Sequence, residues 1–250
     1  MSISSVLPAI YAVQTNMQTL MVGDHAFHLL SLKDKQQYAD PDGAAERAGI
    51  SSSTWPLFGH VWPSGRVLAD LMQVHEIDGL RVLEVGCGLG LASLVLHGRG
   101  AAMTASDYHP MAADFLLHNL HLNELSPLVF ALCDWEKHQP DLGLFDLIIG
   151  SDLLYEPNHP SLLSGFIDRH SSAWVEVVII DPDRRQQRQF TRQMEALGYV
   201  YSMTKSTIAQ LRLHQFKGKV MTYRRGARTL NPVVHVVHDV PPVECGSVLT

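Results

Sequence analysis

This 250-residue chain has only three cysteines, Cys87, Cys133 and Cys245, and none of them stands in a C-x-x-C pair. An odd, scattered set argues against structural zinc, so no metal is expected, and it points to a reducing compartment. No apolar run is long enough to span a bilayer, and the N-terminus lacks a basic region followed by an apolar segment. An excess of positive charge is missing too. Lys and Arg number 19 against 25 Asp and Glu, and the net charge of −6 gives no whole-protein attraction to nucleic acid or to an anionic membrane. The chain therefore reads as cytoplasmic, with nucleic acid and membrane set aside as partners. No internal repeat is visible. What is present is apolar residue in quantity, 46%, enough at this length for one large core with a small extension.

The most informative stretch is Val82-Leu-Glu84-Val-Gly86-Cys87-Gly88-Leu-Gly90. A short apolar run ends in a carboxylate and three glycines at alternate positions, so a buried strand turns sharply into a helix that begins near Leu91. Gly86 and Gly88 let backbone approach a ligand without an intervening Cβ, and the helix start supplies free N–H groups. In the dinucleotide fingerprint G-x-G-x-x-G the third glycine would fall at position 91, which is Leu91 here. The acidic residue two positions before the first glycine is foreign to that pattern as well. A second short buried strand, Ala101 to Ser106, ends at Asp107, 21 residues beyond Gly86. That spacing sets a carboxylate at the tip of the neighbouring strand, within reach of two ribose hydroxyls. Asp107 can also cap the helix that follows His109-Pro110.

Strands and helices alternate from about Gly65 to Leu197. Val67, Leu68 and Leu71 share one helical face, as do Leu91, Leu94 and Val95, and then Leu116, Leu117 and Leu120. Leu128 to Cys133, Phe145 to Gly150 and Trp174 to Ile180 read as buried strands. Asp181-Pro182 predicts the start of a helix with Phe190, Met194 and Leu197 inward and Arg184, Arg185, Arg188 and Arg192 outward. Those arginines read as a solvated face, because no aromatics are interleaved. Tyr199 to Thr204 and Leu211 to Tyr223 follow with no helix between them, which predicts an antiparallel hairpin closing a parallel sheet. At the N-terminal end, Thr19 to Leu32 reads as a hairpin turning at Gly23-Asp24, and Asp34 to Ser53 as a polar loop near the site. The division is 1–53 for the extension and loop, 54–225 for the main α/β domain and 226–250 for a tail.

Three further segments carry candidate chemistry. In Trp62-Pro63-Ser64-Gly65, Ser64 can cap the first core helix while Trp62 offers a flat face. In Cys133-Asp134-Trp135, a carboxylate can accept from an adenine amino group and an indole can pack on the ring. The run Asp146-Leu-Ile-Ile-Gly-Ser151-Asp152-Leu-Leu-Tyr155 leaves the fourth strand where open α/β sheets bind ligands. Asp146 precedes the buried part and belongs at the opposite strand end, with a structural role. Taken alone, each tryptophan is as well explained by packing, Asp152 by a helix cap and Tyr155 by contacts beneath a loop. Their joint occurrence at the C-terminal ends of strands favours function.

The acidic residue with G-x-G-x-G resembles the first motif of class I S-adenosylmethionine-dependent methyltransferases. Together with Trp62, Asp134-Trp135 and the D-x-x-Y signature Asp152-Leu-Leu-Tyr155, the chain from about Thr54 to Tyr223 resembles the methyltransferase-16 group of seven-β-strand protein lysine methyltransferases. The resemblance implies a Rossmann-like three-layer α/β/α fold with a seven-stranded, mostly parallel sheet ending in an antiparallel hairpin. It implies S-adenosyl-L-methionine as cofactor, held by Trp62, Glu84, Gly86, Cys87, Gly88, Asp107, Asp134, Trp135 and Ser151, with Asp152 and Tyr155 facing the incoming nucleophile. The expected activity is N-methylation of a lysine in a protein substrate. Methylation of a small molecule or of another side chain such as histidine stands as the alternative, and a cofactor-binding partner protein without turnover as the non-enzymatic one.

Overall fold

A computed structural model describes residues 12–202 and 216–227 of the chain. Arg81–Val85 (β3) runs Val-Leu-Glu-Val after its first residue, and everything beyond Arg81 is buried. Such a strand needs cover on both faces and a neighbour on each side. Ala102–Asp107 (β4) pairs parallel on one side and Phe145–Ser151 (β6) on the other. Beyond these lie Val129–Leu132 (β5) next to β4, and Ser171–Asp181 (β7) next to β6. Lys219–Arg225 (β9) and Val200–Ser202 (β8) close the sheet antiparallel, giving the order β5-β4-β3-β6-β7-β9-β8. This is the seven-stranded, mostly parallel sheet expected above. The reversal of direction of travel across the sheet falls between β3 and β6, so the strand tips there splay apart and leave a crevice.

The helices cover both faces. Pro63–Val74 (α2), Leu91–Gly98 (α3) and Ala112–Leu122 (α4) pack on one face, and His159–Arg169 (α5) and Gln187–Ala196 (α6) on the other. Two apolar clusters result, one around Leu68, Leu94 and Val82 and the other around Phe166, Leu83 and Tyr223, and a third joins Phe115 of α4 to Trp55 and Phe58. Leu116 and Leu120 of α4 are buried, but Leu117 is 55% exposed. Asn119, on the far side of the helix from it, is buried and has backbone to satisfy. Its Nδ2 donates to the carbonyls of Leu30 and Leu89, and its Oδ1 accepts from Leu30 N at 2.7 Å.

Leu30 belongs to the N-terminal hairpin, Thr15–Val22 (β1) and His25–Leu32 (β2), which turns at Gly23-Asp24 as its sequence predicts. Asn123 repeats the clamp on His28, accepting from its N–H and donating to its carbonyl. Between the hairpin and α2, the short helix Ala44–Arg47 (α1) interrupts the polar loop, and Tyr108 donates its hydroxyl to Ala48 O at the far end of that helix. The loop is thereby tied to the tip of β4.

Three expectations need correction. Ser64 does not cap α2: the cap is Trp62, Pro63 holds the first position, and Ser64 Oγ is buried without a hydrogen bond. The helix expected from Asp181-Pro182 begins only at Gln187, since Asp183 adopts φ 70° and Asp181 Oδ1 captures Arg184 N. The last strand is shorter than Leu211 to Tyr223, starting at Lys219; residues 211–215 and the tail from 228 lie outside the described residues.

Asp146 sits at the opposite end of the sheet from the crevice. Arg81 donates to it through Nε at 2.9 Å, through Nη2 at 2.9 Å and through its backbone N at 3.0 Å. The bidentate guanidinium holds the Asp146 carboxyl at about 2, well below the usual carboxylate range. Because the folded value is depressed, the stabilisation is present above the unfolded value and lost as pH falls through about 2. Arg81 is 55% exposed, so solvent screening limits the pair to about 1 kcal/mol. Urea midpoints should show Asp146→Asn destabilised at pH 6 and equal to the parent protein near pH 2; an equal difference at both pH values would contradict the assignment.

Candidate active site

The β3–α3 turn is built by backbone geometry that few residues accept. Gly86, Gly88 and Gly90 have φ of 63°, 54° and 76°, the left-handed region in which a Cβ is strained. The space beside them is filled by protein as well. A Cβ on Gly88 would lie 2.7 Å from Phe58 O, and one on Gly86 would lie 2.5 Å from Leu153 Cδ2. The turn is therefore shaped by packing against Phe58 and Leu153, while its backbone faces a cavity of about 530 Å³ between the strand tips. That volume is in the range of small-molecule sites.

All the residues singled out above come together on this cavity. Trp62, Glu84, Gly86, Cys87 and Gly88 line it, and so do Asp107, Asp134, Trp135, Ser151, Asp152 and Tyr155. Glu84 is 4% exposed and accepts from Ser93 N at 2.9 Å and from Ser93 Oγ. Burial raises its carboxyl to about 7, and nearby Asp107 pushes in the same direction. Asp107 is 9% exposed and accepts from Gly88 N at 2.7 Å and His109 N at 2.8 Å. Its carboxyl is raised as well, by burial. It does not cap α4, whose first residues are reached only after a turn through Met111. Neither carboxylate bonds to a Lys or Arg side chain, so among the described residues the floor of the cavity carries buried negative potential without a cation.

The cavity wall is aromatic on two sides. Trp62 Nε1 donates to Leu57 O at 2.8 Å, which fixes the ring, and Lys35 Nζ lies 5.3 Å from the ring centre. Trp135 and Tyr155 both meet His159 edge-on, with centroids 5.3 and 4.5 Å apart. Asp134 accepts from Glu136 N at 3.0 Å and pairs with Lys137 at 3.1 Å. Tyr155 is 40% exposed, and burial of its hydroxyl, with Asp107, Glu156 and Asp152 near by, pushes it up to about 12, so it remains a neutral phenol.

Arg184 does not face out. It lines the cavity, and its Nε donates to Asp152 Oδ1 at 2.6 Å with its guanidinium 5.8 Å from the Tyr155 ring centre. The early helix start assumed for Asp181-Pro182 hid this. With two acidic residues flanking the proline, Asp181-Pro182-Asp183 is also a turn signal at a strand tip, and that reading would have kept Arg184 off the helix. His159 was missed too. Its Nδ1 lies 2.6 Å from Leu153 O, and chiefly burial lowers it from the usual imidazole range. Gly49, Ile50 and Ser51 of the loop complete the rim.

A family model described as lysine methyltransferase matches residues 53–197, more than half of the chain. The electron transfer flavoprotein beta subunit lysine methyltransferase of Xenopus laevis is 31% identical over 158 residues, 61% of this chain and 63% of its own length. Protein N-lysine methyltransferase METTL21A of Danio rerio is 33% identical over 138 residues, 51% of this chain and 62% of its own. The matches thus span less than two thirds of either relative. Among solved structures, the T. thermophilus 16S rRNA N2 G1207 methyltransferase in complex with AdoMet and guanosine superposes with a TM-score of 0.58 at 13% identity, covering 85% of this chain and 51% of that one. That likeness is one of fold.

Proposed function

Because this chain belongs to the lysine methyltransferase family, we propose that it transfers the methyl group of S-adenosylmethionine to a lysine side chain of a protein substrate. One observation carries the reading: two buried carboxylates, Glu84 and Asp107, line one cavity with no cation among the described residues bound to either. A ligand bearing an amino group and a sulfonium offsets that potential. A dinucleotide or a phosphate ester adds negative charge to it.

The residues fit the donor part by part. Glu84 would hold the ammonium end, Asp107 the ribose hydroxyls, and Asp134 the adenine amino group, with Trp62 and Trp135 as flat packing surfaces. Gly86, Cys87, Gly88 and Ser151 supply the close backbone walls between them. When bound, S-adenosylmethionine provides a methyl group that is already strongly electrophilic. The protein's share is to hold a nitrogen in line and to keep water out. Asp152 and Tyr155 stand at the acceptor end, where the carboxylate orients the amine and the ring stabilises the methylated product, with about 0.5–2 kcal/mol from the aromatic face. Free lysine has a pKa of about 10.4, so only roughly one side chain in two thousand is neutral at pH 7. Loss of a proton is therefore part of the task.

The free thiols of Cys87 and Cys133 inside the fold support a cytoplasmic, reducing setting. Among the described residues no helix is long and apolar enough to cross a membrane.

Incubating lysate proteins with tritiated S-adenosylmethionine tests the reading. A labelled protein whose digest yields methyl-lysine supports it, label confined to small molecules sinks the protein acceptor, and donor binding without transfer sinks turnover. Asp152→Asn should leave donor affinity unchanged by calorimetry and lower the labelling rate about tenfold or more. Weaker donor binding in that variant would move Asp152 out of the acceptor end.

A further inference from the structure

Two of the three non-glycine residues with left-handed φ among the described residues stand beside one ion pair. Asp152 has φ 58° and Asp183 has φ 70°. Such conformations cost energy and persist where the surroundings over-determine them, most often at functional sites. Here the surroundings are visible. Asp152 N donates to Ile180 O at 2.8 Å, which ties the tip of β6 to the tip of β7. Arg184 N donates to Asp181 Oδ1 at 2.6 Å, with Asp181 fully buried. Both partners are thus aimed by backbone. The guanidinium reaches Asp152 Oδ1 through Nη2 at 2.5 Å, and the carboxylate side chain is only 13% exposed.

From this we propose that Arg184 determines acceptor specificity: by pairing with Asp152 at the acceptor end of the cavity, it cancels the carboxylate's charge and selects an uncharged amine over an ammonium ion. The proposal rests on the methyl-transfer reading and deepens it. A lone carboxylate stabilises an ammonium and raises its pKa, which captures the acceptor in its unreactive form. With Arg184 in place, an incoming ammonium meets a neutral pair whose cation also lies near the Tyr155 face, where the ammonium itself would be attracted. The pair thereby favours the form that owns a lone pair.

The other charged groups nearby do not undo this. Lys219 is engaged by Asp183 at 2.8 Å, and Asp181 is held by the Arg184 backbone. The His159 imidazole is lowered chiefly by burial, with Arg184 adding to this and Leu153 O and Glu156 opposing it. Glu156 and Glu136 also line the cavity, as do Glu84, Asp107 and Asp134, so the pairing removes the pull on an ammonium at Asp152 and leaves those carboxylates as they are.

The test uses two amines of similar size at pH 8 with the full chain saturated by S-adenosylhomocysteine: ethylamine, which is protonated there, and 2,2,2-trifluoroethylamine, which is neutral. Binding is read by ligand-observed NMR. The parent protein should prefer the neutral amine, and Arg184→Gln should shift the ratio of the two dissociation constants towards ethylammonium by about tenfold or more, the size of effect an adjacent charge has on an amine equilibrium. Arg184→Lys, which keeps the charge, should retain the parent preference. An unchanged ratio in Arg184→Gln, or amine binding to neither protein, overturns the proposal. Faster methyl labelling in Arg184→Gln does so as well, since it would make the arginine a competitor of the acceptor. If the ratio shifts as expected while no protein is labelled, it is the methyl-transfer reading that fails and not the pairing.

Discussion

Replacing Asp107 with Ala should weaken S-adenosylmethionine binding about 100-fold or more. The carboxylate stands at the end of β4, 9% exposed, with one lone pair on each oxygen already used by Gly88 N and His109 N. Each oxygen keeps a second acceptor site, and two ribose hydroxyls are matched by two oxygens. A hydrogen bond to a charged group is worth about 1.5–3 kcal/mol, so losing two costs about 3 kcal/mol or more, and 1.4 kcal/mol is a factor of ten. The same change unties Gly88 N, and the turn that lines the cavity loses an anchor. Asp107→Asn separates the two contributions, because an amide oxygen still accepts while the second position becomes a donor. Calorimetry should rank parent, Asn and Ala in that order of affinity, with circular dichroism reporting an intact fold. An Ala variant that binds as tightly as the parent would remove Asp107 from the ribose.

The parts of this fold that were legible in sequence are those whose signal is local and redundant. β3 announces itself by an apolar run that must be buried on both faces, followed by glycines that alone tolerate φ near 60°. The hairpin at Gly23-Asp24 and the antiparallel close of the sheet likewise follow from turn chemistry and from two strand-like runs whose sequence shows no helical period between them. The convergence of distant residues on the cavity was legible for one reason. Parallel strands place their C-terminal tips side by side, so any polar residue just past an apolar run arrives at the same edge.

What escaped is tertiary. Leu117 falls in the apolar group expected inward on α4 but is exposed, while Asn119, on the far side of the helix from it, is buried where the N-terminal hairpin brings backbone groups that it satisfies. No period in α4 encodes the arrival of β2. Ser64 has the chemistry of a cap, but proline at the preceding position starts the helix one residue early. Arg184 was misplaced for the opposite reason: Asp181-Pro182 satisfied a helix-start rule, while the buried Asp181 side chain was committed to the Arg184 N–H, which turns the chain before the helix can begin. At Asn119 and Asp181 a local preference lost to a buried polar group with a partner to meet, and at Ser64 it lost to the proline before it.

The same accounting applies to Glu84, the second large effect. Its carboxyl is 4% exposed and, among the described residues, hydrogen-bonded only to Ser93, and burial, with Asp107 adding to it, moves it from 4.5 to about 7. A folded value raised above the unfolded one means that the stabilisation is complete below the unfolded value and is lost as pH rises through about 7. At 1.36 kcal/mol per unit, that is about 3 kcal/mol between pH 4.5 and 7. The ligand-free protein should therefore melt at a lower temperature at pH 8 than at pH 5.5, and Glu84→Gln should flatten that dependence. A bound ammonium reverses the balance, since it compensates the ionised carboxylate. Donor affinity should accordingly rise about tenfold from pH 5.5 to 7.5, and calorimetry at pH 6 in buffers of different ionisation enthalpy should detect a proton released on binding. A dissociation constant independent of pH across this window, in a protein whose melting temperature does vary, would place the ammonium away from Glu84.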